Sequence, residues 1–358
     1  MENKRLYVDI HVLQTVPPSC INRDDTGSPK TAVYGGTMRA RVSSQSWKHA
    51  MRLAFQDIFP KGELALRTKR VHQLLSEEIA VLAPDADAAK LAGAVMETAG
   101  LKTKGDDKLM DALFFISEAQ LKDLAELAVN DPEVTAAKPA KGVKDRVLDA
   151  LRQNPGVDIA LFGRMAASDP TLNTDACAQV AHAISTHRVD NEYDYFTAVD
   201  DASPADNAGA AHIGTKEYNS ATLYRYATVA VHQLEKYLGD DTMDALAGFI
   251  DAFVRAMPTG SQNTFANRTL PEAVYVAVRT DQPVNLAGAF EKPVYDSEEG
   301  YMDKSAQRLA EKAKEVYEDY AAVPAAAFAT GRRMKELAET MPFDQLLESV
   351  KQDVRARL

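Results

Sequence analysis

A chain of 358 residues, 46% apolar and 26% charged, can bury a large core and divide into more than one structural unit. Its net charge of −11 excludes a general nucleic-acid coat but permits a local cationic groove, since exposed charges are screened beyond about 8 Å at physiological salt. No run of about 18 apolar residues is present to span a membrane, and Cys20 and Cys177, without metal-ligand spacing, read as reduced, buried thiols of a cytoplasmic protein.

The opening M-E-N-K-R-L-Y-V-D-I lacks the apolar core of a signal peptide. Residues 5–13 alternate as a strand, with Tyr7 and Asp9 on one face, Val8 and Ile10 on the other, and Pro17-Pro18 expected to end it. A turn-rich loop follows. Asp24 and Asp25 within it have the chemistry to ligate a metal, but no His or third carboxylate is near in sequence, so a turn or cap role is the stronger reading.

Residues 26–56 contain no Asp or Glu, although 52 acids in 358 residues would put four or five among these 31. The stretch carries Lys30, Arg39, Arg41, Lys48 and Arg52. Gly35-Gly36 and a short strand at 38–42 lead into a helix with Ser43 or Ser44 as N-cap. Trp47, Met51, Ala54 and Phe55 recur as an apolar face, while Gln45, Lys48, His49 and Arg52 form a separate polar, basic one. Free N–H groups at the helix start, serine hydroxyls and cations together suit a phosphodiester arriving at one end. An ordinary solvated helix face is the alternative.

From about 64 to 152 helical periods dominate, at Val71–Leu82, 85–98, 108–127 and 144–151, as expected of a helical insertion between sheet elements. Within it, Lys138, Lys141, Lys144 and Arg146 crowd into K-P-A-K-G-V-K-D-R, a basic loop or a solvated surface run. Strand patterning returns at 157–165 and 178–189. A projecting hairpin follows, with one arm at 193–200, the tip A-S-P-A-D-N-A-G and the return arm A-H-I-G-T-K-E-Y. Arms of that length reach roughly 25 Å, and their composition is not that of a core. Residues 223–232 read as a strand, 233–238 and 241–257 as helices, and 272–279 as a strand. The polar loop 258–269 lies in a 20-residue acid-free window and makes Arg268 a second candidate for backbone contacts. Helices are expected at 305–320, 331–339 and Phe343–Arg357.

No phosphate-binding loop, nucleophile elbow, zinc-protease or C-x-x-C motif occurs. His182 and His187, five apart on an expected strand, fall on opposite faces and make a poor metal pair. The residues favour binding over chemistry.

Several strings in the same order then resemble one family: I-H-V-L with P-P-S-C-I-N-R-D-D, V-Y-G-G with R-V-S-S-Q-S-W-K-H-A-M-R, G-V-D-I-A-L-F-G-R-M-A, A-H-A-I-S-T-H-R-V-D with F-T-A-V-D-D, and H-I-G-T-K-E-Y. They resemble the CasC-type backbone subunit of the type I-E CRISPR surveillance complex, Cascade, within the RAMP superfamily. The resemblance implies an α+β fold: an RRM-like (ferredoxin-like) palm, a helical finger insertion and a β-hairpin thumb. It places palm at 1–59, fingers at 60–181, a palm strand at 182–192, the thumb at 193–220, and the rest of the palm with C-terminal helices at 221–358. No aromatic RNP1 string is present, so stacking of bases on the sheet is not expected.

The function implied is antiviral defence by a non-catalytic subunit that forms a helical filament along the spacer of a CRISPR RNA. It would bind the sugar–phosphate chain without sequence preference and present bases to target DNA. The resemblance gives phosphate contacts to Lys30, Ser43, Gln45, Lys48, His49 and Arg52, with His49 a weaker contact than a permanent cation. Arg164 joins Arg268 as a further RNA contact, and Met165 would wedge against bases. Thr197, His212 and Ile213, on the thumb of a neighbouring copy, would displace one base at intervals. Lys138, Lys141 and Lys144 would contact DNA. Expected partners are CRISPR RNA, target DNA, further copies of the chain and the CasA, CasB, CasD and CasE types of Cascade subunit, with no cofactor, metal or membrane. Affinity accumulating along a filament would reconcile an acidic subunit with RNA binding. The alternatives are a metal-dependent RNase related to type III backbone subunits, using Asp24 or Asp25, and a protein-only assembly subunit.

Overall fold

A computed structural model of the chain describes residues 5–136, 140, 142–166, 169–198 and 212–358. In chain order the elements begin with β1 (Tyr7–Ser19), β2 (Thr31–Tyr34), β3 (Thr37–Val42), α1 (Ser44–Ile58), β4 (Ala65–Thr68), α2 (Val71–Leu82) and α3 (Ala88–Thr98). They continue with β5 (Thr103–Lys104), β6 (Leu109–Met110), β7 (Phe114–Ser117), α4 (Glu118–Asn130), α5 (Val143–Arg152) and α6 (Val157–Phe162). After these come β8 (Ala178–Val180), β9 (Ala183–Ser185), β10 (Glu192–Ala198), β11 (His212–Ala230), α7 (Val231–Leu238), α8 (Thr242–Arg255) and α9 (Gln262–Phe265). The last are β12 (Ala273–Arg279), α10 (Met302–Asp319), β13 (Ala326–Thr330) and α11 (Phe343–Arg357).

The chain forms two compact units, one of Met1–Met51, Val180–Thr228 and Phe249–Leu358, the other of Arg52–Gln179 and Val229–Gly248. The first is built on a mixed α/β plan around an antiparallel sheet of order β13–β12–β1–β11–β9–β3–β2, with β10 and β8 also paired to β11. β1 is buried along both faces, as its β-branched run Y-V-D-I-H-V-L requires of a central strand. Contrary to expectation, Pro17-Pro18 do not end it. They lie beyond the β12 ladder, which covers Tyr7 to Leu13, so the missing proline N–H groups break no bond there.

The second unit packs α2, α3, α4 and α5 around Leu75, Ile79, Val95, Leu121, Leu124, Val147 and Leu151. It also holds two small sheets, β4–β7 and β5–β6, which the helical reading of this stretch left out. The expected helix 108–127 starts only at Glu118, where a capping box halts the strand. Ser117 Oγ accepts from Gln120 N at 3.1 Å and Gln120 Oε1 from Ser117 N at 3.2 Å. The expected strand at 157–165 is instead helix α6. An apolar run this short has no decisive period, and Gly163 ends the helix at φ 77°, where a Cβ would meet the Thr174 carbonyl at 2.8 Å. The expected helix 331–339 shrinks to a single 3-10 turn, Arg332–Met334. The unforeseen β13 precedes it, an alanine-rich strand with little intrinsic preference, held by its pairing to β12. No helix among the described residues is long and apolar enough to cross a membrane. Cys20 and Cys177 are free and buried, and burial raises both thiols, that of Cys177 to about 12.

Two polar contacts organise the first unit. Arg225 of β11 is fully buried, its guanidinium 3.7 Å over the Trp47 ring and 4.6 Å over Phe253. It donates to Gln14 Oε1 at 2.6 Å and to the Phe253 carbonyl. Burial lowers its pKa to about 9, which leaves it cationic at neutral pH. On β1, buried Asp9 accepts from Tyr226 Oη at 2.9 Å and Val284 N at 2.8 Å, while His11 Nδ1 shares a 2.9 Å hydrogen bond with Tyr224 Oη.

Burial raises Asp9 from 3.8 to about 6 and lowers His11 from 6.5 to about 3. Asp9's contribution to stability is therefore full below pH 3.8 and lost as pH rises through about 6. That of His11 is full above pH 6.5 and lost as pH falls towards about 3. Between pH 4 and 6 the two oppose each other. Asp9→Asn removes one, so on acidification from pH 6.5 to 4 the variant should lose up to about 1.4 kcal/mol of stability per pH unit, over a range where the wild type is flatter. Chemical denaturation across that range checks this; a variant curve parallel to the wild type counts against it.

Candidate nucleic-acid interface

The acid-free stretch folds as hairpin β2–β3 followed by α1, and the sheet sorts its cations. Gly35 and Gly36 close the hairpin with φ 58° and 75°, and a Cβ on Gly35 would overlap the Glu291 carbonyl at 1.6 Å. Arg39 is wholly buried. It donates to the carbonyls of Ser185 (2.9 Å) in β9 and of Phe290 (2.9 Å) and Glu291 (3.1 Å), so it ties one connecting segment to the sheet rather than facing a ligand. Lys30 and Arg41 are half-buried and meet no carboxylate at ion-pair distance among the described residues. Arg41 donates from Nε to the Thr31 carbonyl at 3.1 Å, and its Nη1 lies 3.1 Å from His182 Nδ1. Partial burial, then the charges of Arg41 and Lys30, hold exposed His182 below the usual histidine range.

Ser43 is the N-cap: its Oγ accepts from Ser46 N at 3.3 Å, while Asn22 Oδ1 accepts from Ser43 N at 2.9 Å. The Ser43 side chain is buried and serves the helix start. Trp47, Met51 and Phe55 turn inward and Ala54 is half-buried, which leaves Gln45 and His49 exposed and Lys48 half-buried, its pKa lowered by desolvation. Arg52 begins the second unit. There its Nε pairs with Asp158 at 3.1 Å and its guanidinium covers the Phe115 ring at 4.5 Å. Asp158 is almost completely buried and also accepts from Ala65 N at 2.8 Å; burial still raises its pKa despite these partners.

Arg164 lies in the interior of the second unit. It donates to the carbonyls of Leu172 (3.0 Å), Phe115 (3.1 Å) and Leu151 (2.6 Å), and to Gln120 Oε1 at 3.1 Å. Burial lowers its pKa to about 10. Its neighbour Met165 is 85% exposed. Lys144 pairs with Asp169 at 3.6 Å, whereas Lys138 and Lys141 lie outside the described residues.

In the first unit, exposed Arg268 sits at the end of a loop that packs on the base of the hairpin. Lys216 of β11 donates to Thr264 Oγ1 at 2.9 Å and lies 5.4 Å from the Phe265 ring. In the hairpin, Thr197 pairs with Ile213 and Ala198 with His212, and residues 199–211 are outside the described set. Tyr193, Tyr195, Thr197 and Ile213 share one face. Asp24 is occupied in its own loop, where its Oδ1 accepts from Thr26 N, Thr26 Oγ1 and Ser28 N at 2.7–3.0 Å. The Thr26 hydroxyl leads the causes that hold its carboxyl low. Among the described residues no group of three or more His, Cys, Asp or Glu is placed to hold a metal.

The structure thus gathers Lys30, Ser43, Gln45, Lys48 and His49 within one unit, and it anchors Arg52 and Arg164 inside another. Sequence reasoning did not connect Arg41 with His182. The only signal in the sequence was Arg41's place in the acid-free stretch; its partner is 141 residues away.

The chain belongs to the CT1975-like protein family, whose profile matches residues 8–352. No curated protein matches it. Among solved structures, it is similar to a chain of a CRISPR RNA-guided surveillance complex in a pre-nicking state, with 33% identity and a TM-score of 0.79 over 97% of this chain and 99% of that one. A chain of a second CRISPR RNA-guided surveillance complex is 28% identical, with a TM-score of 0.63 over the same shares.

Arg52→Ala should strand the buried Asp158 charge and destabilise the second unit by about 3–5 kcal/mol. Adding Asp158→Asn should recover part of that. Thermal unfolding of the single and double variants measures both, and a single variant as stable as wild type would show the pair to be idle.

Proposed function

We propose that this chain is a non-catalytic, RNA-binding backbone subunit of a Cascade-type surveillance complex, of type I-E. It assembles with copies of itself and other Cascade subunits along a CRISPR RNA, grips the sugar–phosphate chain and leaves the bases to pair with target DNA. The observation that carries this is the full-length likeness, at 33% identity and a TM-score of 0.79, to a chain of a CRISPR RNA-guided surveillance complex.

The surface chemistry supports the same reading. Gln45, Lys48 and His49 line one face of α1, close in sequence to Lys30 and the Ser43 cap. Such groups hold phosphates and carry no base information, as a guide of varying spacer requires. The antiparallel sheet of the first unit takes the part of an RRM-like palm. The β10–β11 hairpin takes that of a thumb, with Thr197 and Ile213 side by side on one face, and with His212 it reaches the RNA on a neighbouring copy. Exposed Met165 is the wedge, positioned by buried Arg164; Arg268 is a further phosphate contact, and Lys138, Lys141 and Lys144 face DNA. Arg52, paired with Asp158, is not among these phosphate contacts.

The test is purification of the full chain with its CRISPR RNA and companion subunits. Co-purified RNA of uniform length is expected. Lys48→Ala should weaken binding equally for guides of unrelated spacer and flatten the slope of log affinity against log salt by about 0.7. Losses that vary with spacer, or no RNA at all, overturn the reading. Complementary RNA with magnesium should stay intact, and cleavage abolished by Asp24→Ala or Asp25→Ala would replace a scaffold with a nuclease.

A further inference from the structure

We propose that Arg41, held by His182 and flanked by Lys30, forms a further phosphate subsite on the strand side of α1, an inference that rests on the RNA-binding reading above. Among the described residues the Arg41 side chain has two hydrogen-bond partners, the Thr31 carbonyl at Nε and His182 Nδ1 at Nη1, each at 3.1 Å and neither an anion. Its Nη2 protons have no acceptor among the described residues. This differs from the other arginines of the acid-free stretch, since Arg39 is enclosed by carbonyls and Arg52 is paired with Asp158. The guanidinium is thus held through Nε and one Nη1 proton, which leaves both Nη2 protons and the second Nη1 proton to reach phosphate oxygens.

Three further observations point the same way. Lys30 adds a second cation without a carboxylate partner among the described residues, and its carbonyl accepts from Arg41 N at 2.9 Å, so the two residues are locked in register. A small pocket lies beside them, apolar along its floor at Val16, Val42 and Leu223 and polar where Asn22, Lys30 and Arg41 line it. Asn22, part of that lining, also accepts the Ser43 N–H at 2.9 Å and so ties the pocket wall to the start of α1. His182 is a positioning residue: neutral, it offers Nδ1 as the acceptor that aims Arg41, and partial burial, then the cations beside it, disfavour the protonated form that could not accept. One strand could then cross from the α1 N-terminus to Arg41 and bring successive phosphates to the two places.

The experiment uses the full chain and a fluorescently labelled single-stranded RNA of mixed sequence, with polarisation read across a salt series. Arg41→Gln should raise Kd about tenfold at physiological salt and reduce the salt slope by about 0.7. His182→Phe, at an exposed position, should keep the wild-type melting temperature and lose about threefold in affinity, while His182→Asn, which restores an acceptor, should recover it. A merely structural histidine would move the melting temperature and would not distinguish Asn from Phe. If Arg41→Gln does not fold, the His182 pair decides, and equal wild-type affinity in both overturns the subsite. Wild-type affinity and slope in Arg41→Gln, with Lys48→Ala weakened in the same assay, also overturn it and leave the proposed function standing. A wild-type chain that binds no RNA overturns both.

Discussion

The first unit depends on one buried charge. Among the described residues Arg225 has no carboxylate partner; its cation is held by two aromatic faces, the Gln14 amide oxygen and a backbone carbonyl. A guanidinium tolerates this better than an ammonium, because it is planar, weakly hydrated and able to stack. The four groups come from α1, α8 and β1, while Arg225 stands on β11, the strand that continues into the hairpin. A charge that cannot be re-solvated without unpacking Trp47 therefore fixes α1 and the hairpin stem to a common point. The exposed face of α1 owes its direction to that contact on its buried side.

The same contrast explains how an acidic chain can carry a cationic strip. Besides those paired with carboxylates, such as Arg52 and Lys144, the basic residues include two chemical classes that composition does not separate. Arg39, Arg164 and Arg225 are interior cross-links whose donors end on carbonyl, amide or hydroxyl oxygens. Lys30, Arg41 and exposed Arg268 have no carboxylate partner among the described residues. Arginine suits the first role because five N–H groups can satisfy several backbone carbonyls that would otherwise be left bare by loops crossing a sheet. What remains for a ligand is a small, acid-poor surface, and screening keeps the surplus acids elsewhere from cancelling it.

Much of this was legible in the chain and part was not, for identifiable reasons. Val71–Leu82 and Phe343–Arg357 were found to the residue, because long amphipathic periods report directly on a buried face. The Ser43 cap and the inward turn of Trp47, Met51 and Phe55 were legible for the same reason. The α6 segment was not, because six mostly apolar residues fit either period. Nor was β13, whose alanines are recruited by a neighbour. At the site, local pattern could not tell Arg39 from Arg41: they are two apart on one strand, yet their partners lie 146 and 141 residues away. Arg52 shared a helical stripe with Lys48, and only the buried Asp158, distant in sequence, claims it.

The two thiols have a practical corollary. Cys20 and Cys177 are the only cysteines, both are enclosed, and both are pushed away from the thiolate that reacts with maleimides and disulfides. A cysteine introduced at an exposed position such as Gln45 or Met165 would then be the one readily alkylated sulfur in the chain. Dyes, spin labels or cross-linkers could be attached at either place without first stripping the native background.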